Sequence, residues 1–85
     1  MIQEFVLKDE YTLYYDGNNR QFNIDSPNGK NYGGFTHWGD ELFTTLIAKS
    51  IVEGGNAFCK KNYGANNLCS QRYEFLLTLF EGVES

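Results

Sequence analysis

The stretch Tyr11–Asp25, "YTLYYDGNNRQFNID", constrains this chain more than any other. Successive side chains of a strand point to opposite sides. Tyr11, Leu13 and Tyr15 therefore share one face, and Thr12 and Tyr14 the other. Phe22 and Ile24 repeat the apolar face on the return, with Gln21 and Asn23 opposite. Between the two runs stand Asp16, Gly17, Asn18 and Asn19, residue types that tolerate the positive φ of a tight turn. The stretch predicts an antiparallel hairpin over Tyr11–Tyr15 and Arg20–Asp25. One of its faces must be covered and the other need not be.

Flanking segments extend the hairpin. "IQEFVL" (Ile2–Leu7) reads as a first strand, broken by Lys8-Asp9-Glu10. "SPNG" (Ser26–Gly29) fits a type I turn, with Pro27 at its second position and Gly29 at its fourth. "KNYGGFT" (Lys30–Thr36) reads as a shorter strand weakened by two glycines. The first part of the chain is thus a meander of three to four strands.

Beyond it the hydrophobic period changes. Leu42, Phe43, Leu46, Ile47, Ile51 and Val52 recur at steps of one, three and four, which predicts a helix beginning near Asp40. Asp40 and Glu41 would sit in its first turn, where negative charge suits the helix dipole, and Gly39 or Asp40 would cap it. Gly54–Gly55 is expected to stop it. A short helix capped by Asn56 and ended by Gly64 should follow, then a longer one from about Leu68 to Glu81 capped by Asn66 or Asn67. In that last helix Cys69, Tyr73, Leu76 and Phe80 fall on one face. Strands followed by helices, segregated in sequence, define an α+β fold with two to three helices packed on one sheet face.

At 85 residues the chain supports one domain, 1–85, because two cores would each be too small to offset chain entropy. An apolar share of 41% and an aromatic share of 16% exclude disorder. The start lacks a secretory signal and no apolar run approaches a membrane span, so cytoplasmic residence is expected. Cys59 and Cys69 stand ten apart, which is not a Cys-x-x-Cys pair. Free, partly buried thiols are expected, with a bridge between neighbouring helices as the alternative.

The segment "NYGGFTHWGDELF" (Asn31–Phe43) concentrates the chemistry-bearing residues. His37 as base, a cysteine as nucleophile and Asp40 as orienting acid would make a catalytic set, yet no local signature surrounds either cysteine. One His and two distant cysteines match no zinc spacing, and no alternating acids mark a calcium loop. Glycines precede the helix, but Asp40 and Glu41 would repel a phosphate there. No metal or cofactor is expected, and no enzymatic activity. The residues are better read as a corner: Gly33–Gly34 bends the strand, Phe35 and Trp38 staple the helix start, and His37 is a half-exposed loop residue. Trp38 and His37 also suit a protein contact.

Charge decides between binding functions. The net charge is −4, and residues 1–43 hold seven acids against three bases while residues 44–85 balance four against four. A nucleic-acid binder normally carries a basic patch, whereas an acidic face keeps a protein dispersed or docks on a basic protein surface. In size and charge the chain resembles small antagonists encoded by phages and mobile elements, anti-CRISPR proteins and toxin-immunity proteins among them. The resemblance is one of type and carries no residues over. It implies an inhibitor that occupies the basic groove of a nuclease or nucleoprotein complex without chemistry. Asp9, Glu10, Tyr14, Asp16 and Asp25 are the expected contacts, with His37 and Trp38 beside them. The alternatives are a nucleic-acid module stacking bases on Tyr14, with Arg20, Lys30, Lys60 and Lys61 on phosphates, and a homo-oligomer.

Overall fold

The computed structural model describes residues 1–83. Four strands, β1 (Ile2–Val6), β2 (Thr12–Asp16), β3 (Gln21–Asp25) and β4 (Asn31–Thr36), precede two helices, α1 (Thr45–Tyr63) and α2 (Leu68–Thr78). The strands form one antiparallel sheet in the order β1-β2-β3-β4, a meander. The expected α+β architecture is the one observed.

The alternation of Tyr11–Asp25 does what strand geometry requires. Leu13, Phe22 and Ile24 are fully buried and join Ala48 and Val52 of α1 and Leu76 of α2 in one core. Aromatic rings fill the space between layers. Tyr15 stacks on Phe43 at 3.9 Å, and Phe22 lies 5.0 Å from Phe35 and 5.3 Å from Phe43. Such ring pairs add about 0.5–1.5 kcal/mol each beyond the area they bury.

The turns follow their chemistry. Asp16 accepts from the Asn18 N–H at 2.9 Å and from Asn19 Nδ2 at 2.7 Å, while Arg20 takes the positive φ of 56° that completes the hairpin. The Gly29 N–H donates to the Ser26 carbonyl at 2.9 Å, closing the turn around Pro27. Lys8–Glu10 is a single 3-10 turn with left-handed φ at Asp9 (58°) and Glu10 (65°). It is tied to the other end of the molecule: the Lys8 N–H donates to the Leu79 carbonyl at 2.9 Å, and Lys8 Nζ pairs with Glu81 at 3.1 Å.

The helical half corrects three expectations. The first helix starts at Thr45, capped by Thr44, whose hydroxyl accepts from the Ile47 N–H at 3.3 Å. Residues Trp38–Leu42 instead form an irregular connection that delivers Phe43 to the core, so Asp40 and Glu41 lie outside the helix. Leu42 and Leu46, expected on the apolar stripe, are 80% and 62% exposed. Second, Gly54–Gly55 does not stop the helix: α1 runs through both to Gly64, which has φ 86° and ends it. Two glycines mid-helix cost about 2 kcal/mol in propensity. Gly55 has a packing reason, since a Cβ there would lie 2.6 Å from the ring of Tyr73 on α2. Third, Asn56 is no cap. It is a buried mid-helix residue whose Nδ2 donates to Glu74 of α2 at 3.1 Å. Of the two expected caps, Asn66 and Asn67, Asn67 is the one observed: its side chain accepts from the Cys69 N–H at 2.8 Å.

Candidate partner-binding surface

Both helices lie on the Leu13–Phe22–Ile24 side, so the other sheet face is open. Register makes it a grid. One row runs Ile2, Asp16, Gln21, Thr36, the next Glu4, Tyr14, Asn23, Gly34, and the third Val6, Thr12, Asp25, Asn31. The third row is kept in step by a bulge in β4, where Gly33 takes φ 149° and its N–H donates to Asn31 Oδ1 at 2.9 Å. Asn31 Nδ2 in turn donates to Asp25 at 3.1 Å, so both side chains stand on the open face.

The charge of this grid is one-sided. The four strands contain no Lys or Arg, and their three carboxylates, Glu4, Asp16 and Asp25, all stand on the open face. Tyr14 sits in the middle row between Glu4 and Asn23. Gly34, at the row's end, adds no side chain, and a Cβ there would press on Asn23 Oδ1 at 3.0 Å. The surface is therefore low at the β4 side and carries a phenol at its centre. The carboxylates are not equivalent. Asp16 is engaged by the hairpin turn and Asp25 by Asn31, while Glu4 is exposed.

The predicted contacts divide accordingly. Tyr14, Asp16 and Asp25 are brought together on the grid. Asp9 and Glu10 are exposed but belong to the β1–β2 connection. Trp38 is 85% exposed, just beyond β4, so it staples nothing. His37 is corrected from half-exposed to buried, at 2% exposure. Its backbone N–H donates to the Arg20 carbonyl at 2.8 Å, and its Nε2 lies 2.9 Å from the Glu41 carbonyl. Its ring packs edge-on to Tyr15 and Phe43, so it offers a partner almost no surface. Glu4 was missed. Its outward direction follows from the β1–β2 register, and the sequence shows alternation within a strand but not the pairing between strands.

A cleft of about 480 Å3 adjoins His37, lined by Phe35, Trp38, Glu41, Ile51 and Tyr73 among others. Neither cysteine lines it, and the Asp40 carboxylate faces Arg20 at 3.8 Å. The histidine, thiol and acid of the catalytic reading are thus not assembled around this cleft. Among the described residues no group of three His, Cys, Asp or Glu side chains is placed to hold a metal, and no helix is long and apolar enough to cross a membrane. Comparison of the chain with protein families, curated proteins and solved structures finds no match to any of them.

Proposed function

We propose that this protein is a small binding inhibitor that presents the open face of its sheet to a basic protein surface, such as the nucleic-acid groove of a nuclease or nucleoprotein complex. The observation that carries the reading is the sign of that face: three carboxylates, a central tyrosine and no base on any strand. A face of one sign steers encounter with an oppositely charged groove and disfavours nucleic acid, whose phosphates it repels. Tyr14 supplies the kind of rigid, amphipathic side chain that dominates binding energy at interfaces. Trp38, exposed at the sheet's end, is a second anchor of that kind. The same charge argues against the nucleic-acid module, because Arg20 and Lys30 lie in turns and Lys60 and Lys61 on α1.

Affinity capture from bacterial lysate, with and without nuclease, tests this with three baits. The wild-type chain should retain a stoichiometric protein after nuclease treatment. The variant combining Glu4→Lys, Tyr14→Ala and Asp25→Lys should lose it, and Glu53→Lys on the helix layer should keep it. Equal capture by wild type and the sheet-face variant at low salt would sink the proposal. Capture that disappears with nuclease would favour nucleic acid as the partner.

A further inference from the structure

The two cysteines, ten residues apart in sequence, meet where the helices meet. Cys59 Sγ, in the penultimate turn of α1, lies 2.9 Å from Cys69 Sγ, in the first turn of α2. Both are free thiols, and they are unequal: Cys59 is buried and Cys69 exposed. Cys69 stands in the first turn of α2, beside the Asn67 cap. A cleft of about 160 Å3 leads to it, walled by Gly33, Gly34, Phe35, Arg72 and Tyr73. Gly33 leaves room for the Arg72 guanidinium, whose Nη2 would lie 3.1 Å from a Cβ at that position.

We propose that Cys59 and Cys69 are a reversible redox site that gives up two electrons to a low-molecular-weight disulfide of the glutathione type, with Cys69 as the attacking thiol and Cys59 as the resolving thiol. The Cys69 thiolate attacks one sulfur of the disulfide. A bond forms between Cys69 Sγ and that sulfur, the oxidant's S–S bond breaks, and the other half leaves as a thiolate with the electron pair. Cys59, deprotonated in turn, attacks Cys69 Sγ, forms the intrachain bond and expels the second half as a thiolate. The two protons given up by the cysteines end on the two released thiols. Two protein thiols are oxidised and one small disulfide is reduced.

The structure assigns the order of events. An incoming molecule reaches Cys69 through the cleft, past a guanidinium that attracts the carboxylates of a glutathione-type oxidant. Cys59 lies behind it, and its hydrogen bond with Cys69, together with burial, pushes its thiol above the ordinary value of 9.0. The buried sulfur is thus the poorer first nucleophile and is already placed for the second step. The product staples the end of α1 to the start of α2, a junction where the Ser70 hydroxyl donates to the Gly64 carbonyl at 2.9 Å and Glu74 of α2 meets Lys60 and Asn56 of α1.

The test is equilibration of the full chain in buffers of set ratios of glutathione disulfide to glutathione, followed by acid quench, thiol alkylation and intact-mass measurement. Wild type should pass from a doubly alkylated species to an unalkylated monomer two hydrogens lighter than the reduced, unmodified chain. Its melting temperature should rise on the order of 10 °C, the effect of closing a loop of this length in a small domain. Cys59→Ser should stop at one glutathione adduct on Cys69, while Cys69→Ser should gain none. The proposal falls if the wild type accumulates two glutathione adducts, forms disulfide-linked dimers, or keeps two alkylatable thiols in pure glutathione disulfide. It also falls if Cys69→Ser is glutathionylated as readily as Cys59→Ser. Should either serine variant fail to fold, the mass and melting shifts of the wild type decide alone.

Discussion

The two faces of the sheet are built from the same four strands and do opposite things. On the covered side Leu13, Phe22 and Ile24 are sealed under α1 and α2, and rings pack from Tyr15 through Phe43 and Phe22 to Phe35. On the open side the same strands present Glu4, Tyr14, Asp16, Gln21, Asn23 and Asp25. The contrast teaches how so short a chain divides its labour. A period of two assigns every second residue to stability and leaves the rest free to set charge and contact. Binding variants can therefore be made on one face with little effect on the other.

That separation is open to breaking. Its sharpest test pairs Phe22→Ala with Tyr14→Ala. Phe22 is fully buried, and its truncation should cost about 3–5 kcal/mol in chemical denaturation, enough to unfold much of the population. Tyr14→Ala should cost about 1 kcal/mol or less, the range of strand preference on an exposed face. Equal losses would mean that the open face contributes to folding after all.

The helix layer repeats the contrast at smaller amplitude. Leu76, 1% exposed, should cost about 2–5 kcal/mol on truncation to alanine, whereas Leu46, 62% exposed, should change the denaturation midpoint by about 0.5 kcal/mol or less. A large loss at Leu46→Ala would show α1 rotated from the observed face. The adjacent glycines sharpen the point further. A Cβ at Gly54 meets nothing within 4 Å, so Gly54→Ala should stabilise by about 0.5–1 kcal/mol through helix propensity. At Gly55 the Cβ presses on Tyr73, so Gly55→Ala should destabilise by about 1–3 kcal/mol. Melting curves that move in the same direction for both would remove the packing explanation of Gly55.

The smallest expected effect lies at the seam between the helices. Glu74 is ion-paired with Lys60 and accepts from Asn56, and these partners hold its carboxyl below the ordinary value of 4.5. A depressed folded-state value means stability that is present above pH 4.5 and lost as pH falls through the folded value. The melting temperature should fall over that acid window, and Glu74→Gln should flatten the slope there. An unchanged slope in the variant would assign the acid sensitivity to other carboxylates.

Much of the sheet was legible because its signals are local. Alternation in Tyr11–Asp25, the Asp16–Asn19 and Ser26–Gly29 turns, the Asn67 cap and the Gly64 stop each depend on a few neighbouring residues. Expectations failed where a distant partner intervened. Gly54–Gly55 reads as a stop by local preference, yet α1 continues because α2 needs the space that Gly55 leaves for Tyr73 and because Asn56 bonds to Glu74. His37 reads as a polar loop residue. It is buried because the Glu41 carbonyl lies beside its ring nitrogen and two aromatic rings close around it.

The site shows the same division. The acidity of the first half of the chain and the outward direction of Tyr14 are properties of the sequence alone, since charge and strand period need no partner to define them. That Glu4 stands beside Tyr14 and that Cys59 meets Cys69 were decided by register and by the packing of α1 on α2. Those choices depend on contacts between residues far apart in the chain, and a one-dimensional pattern specifies the preferences of each element but not which elements satisfy one another.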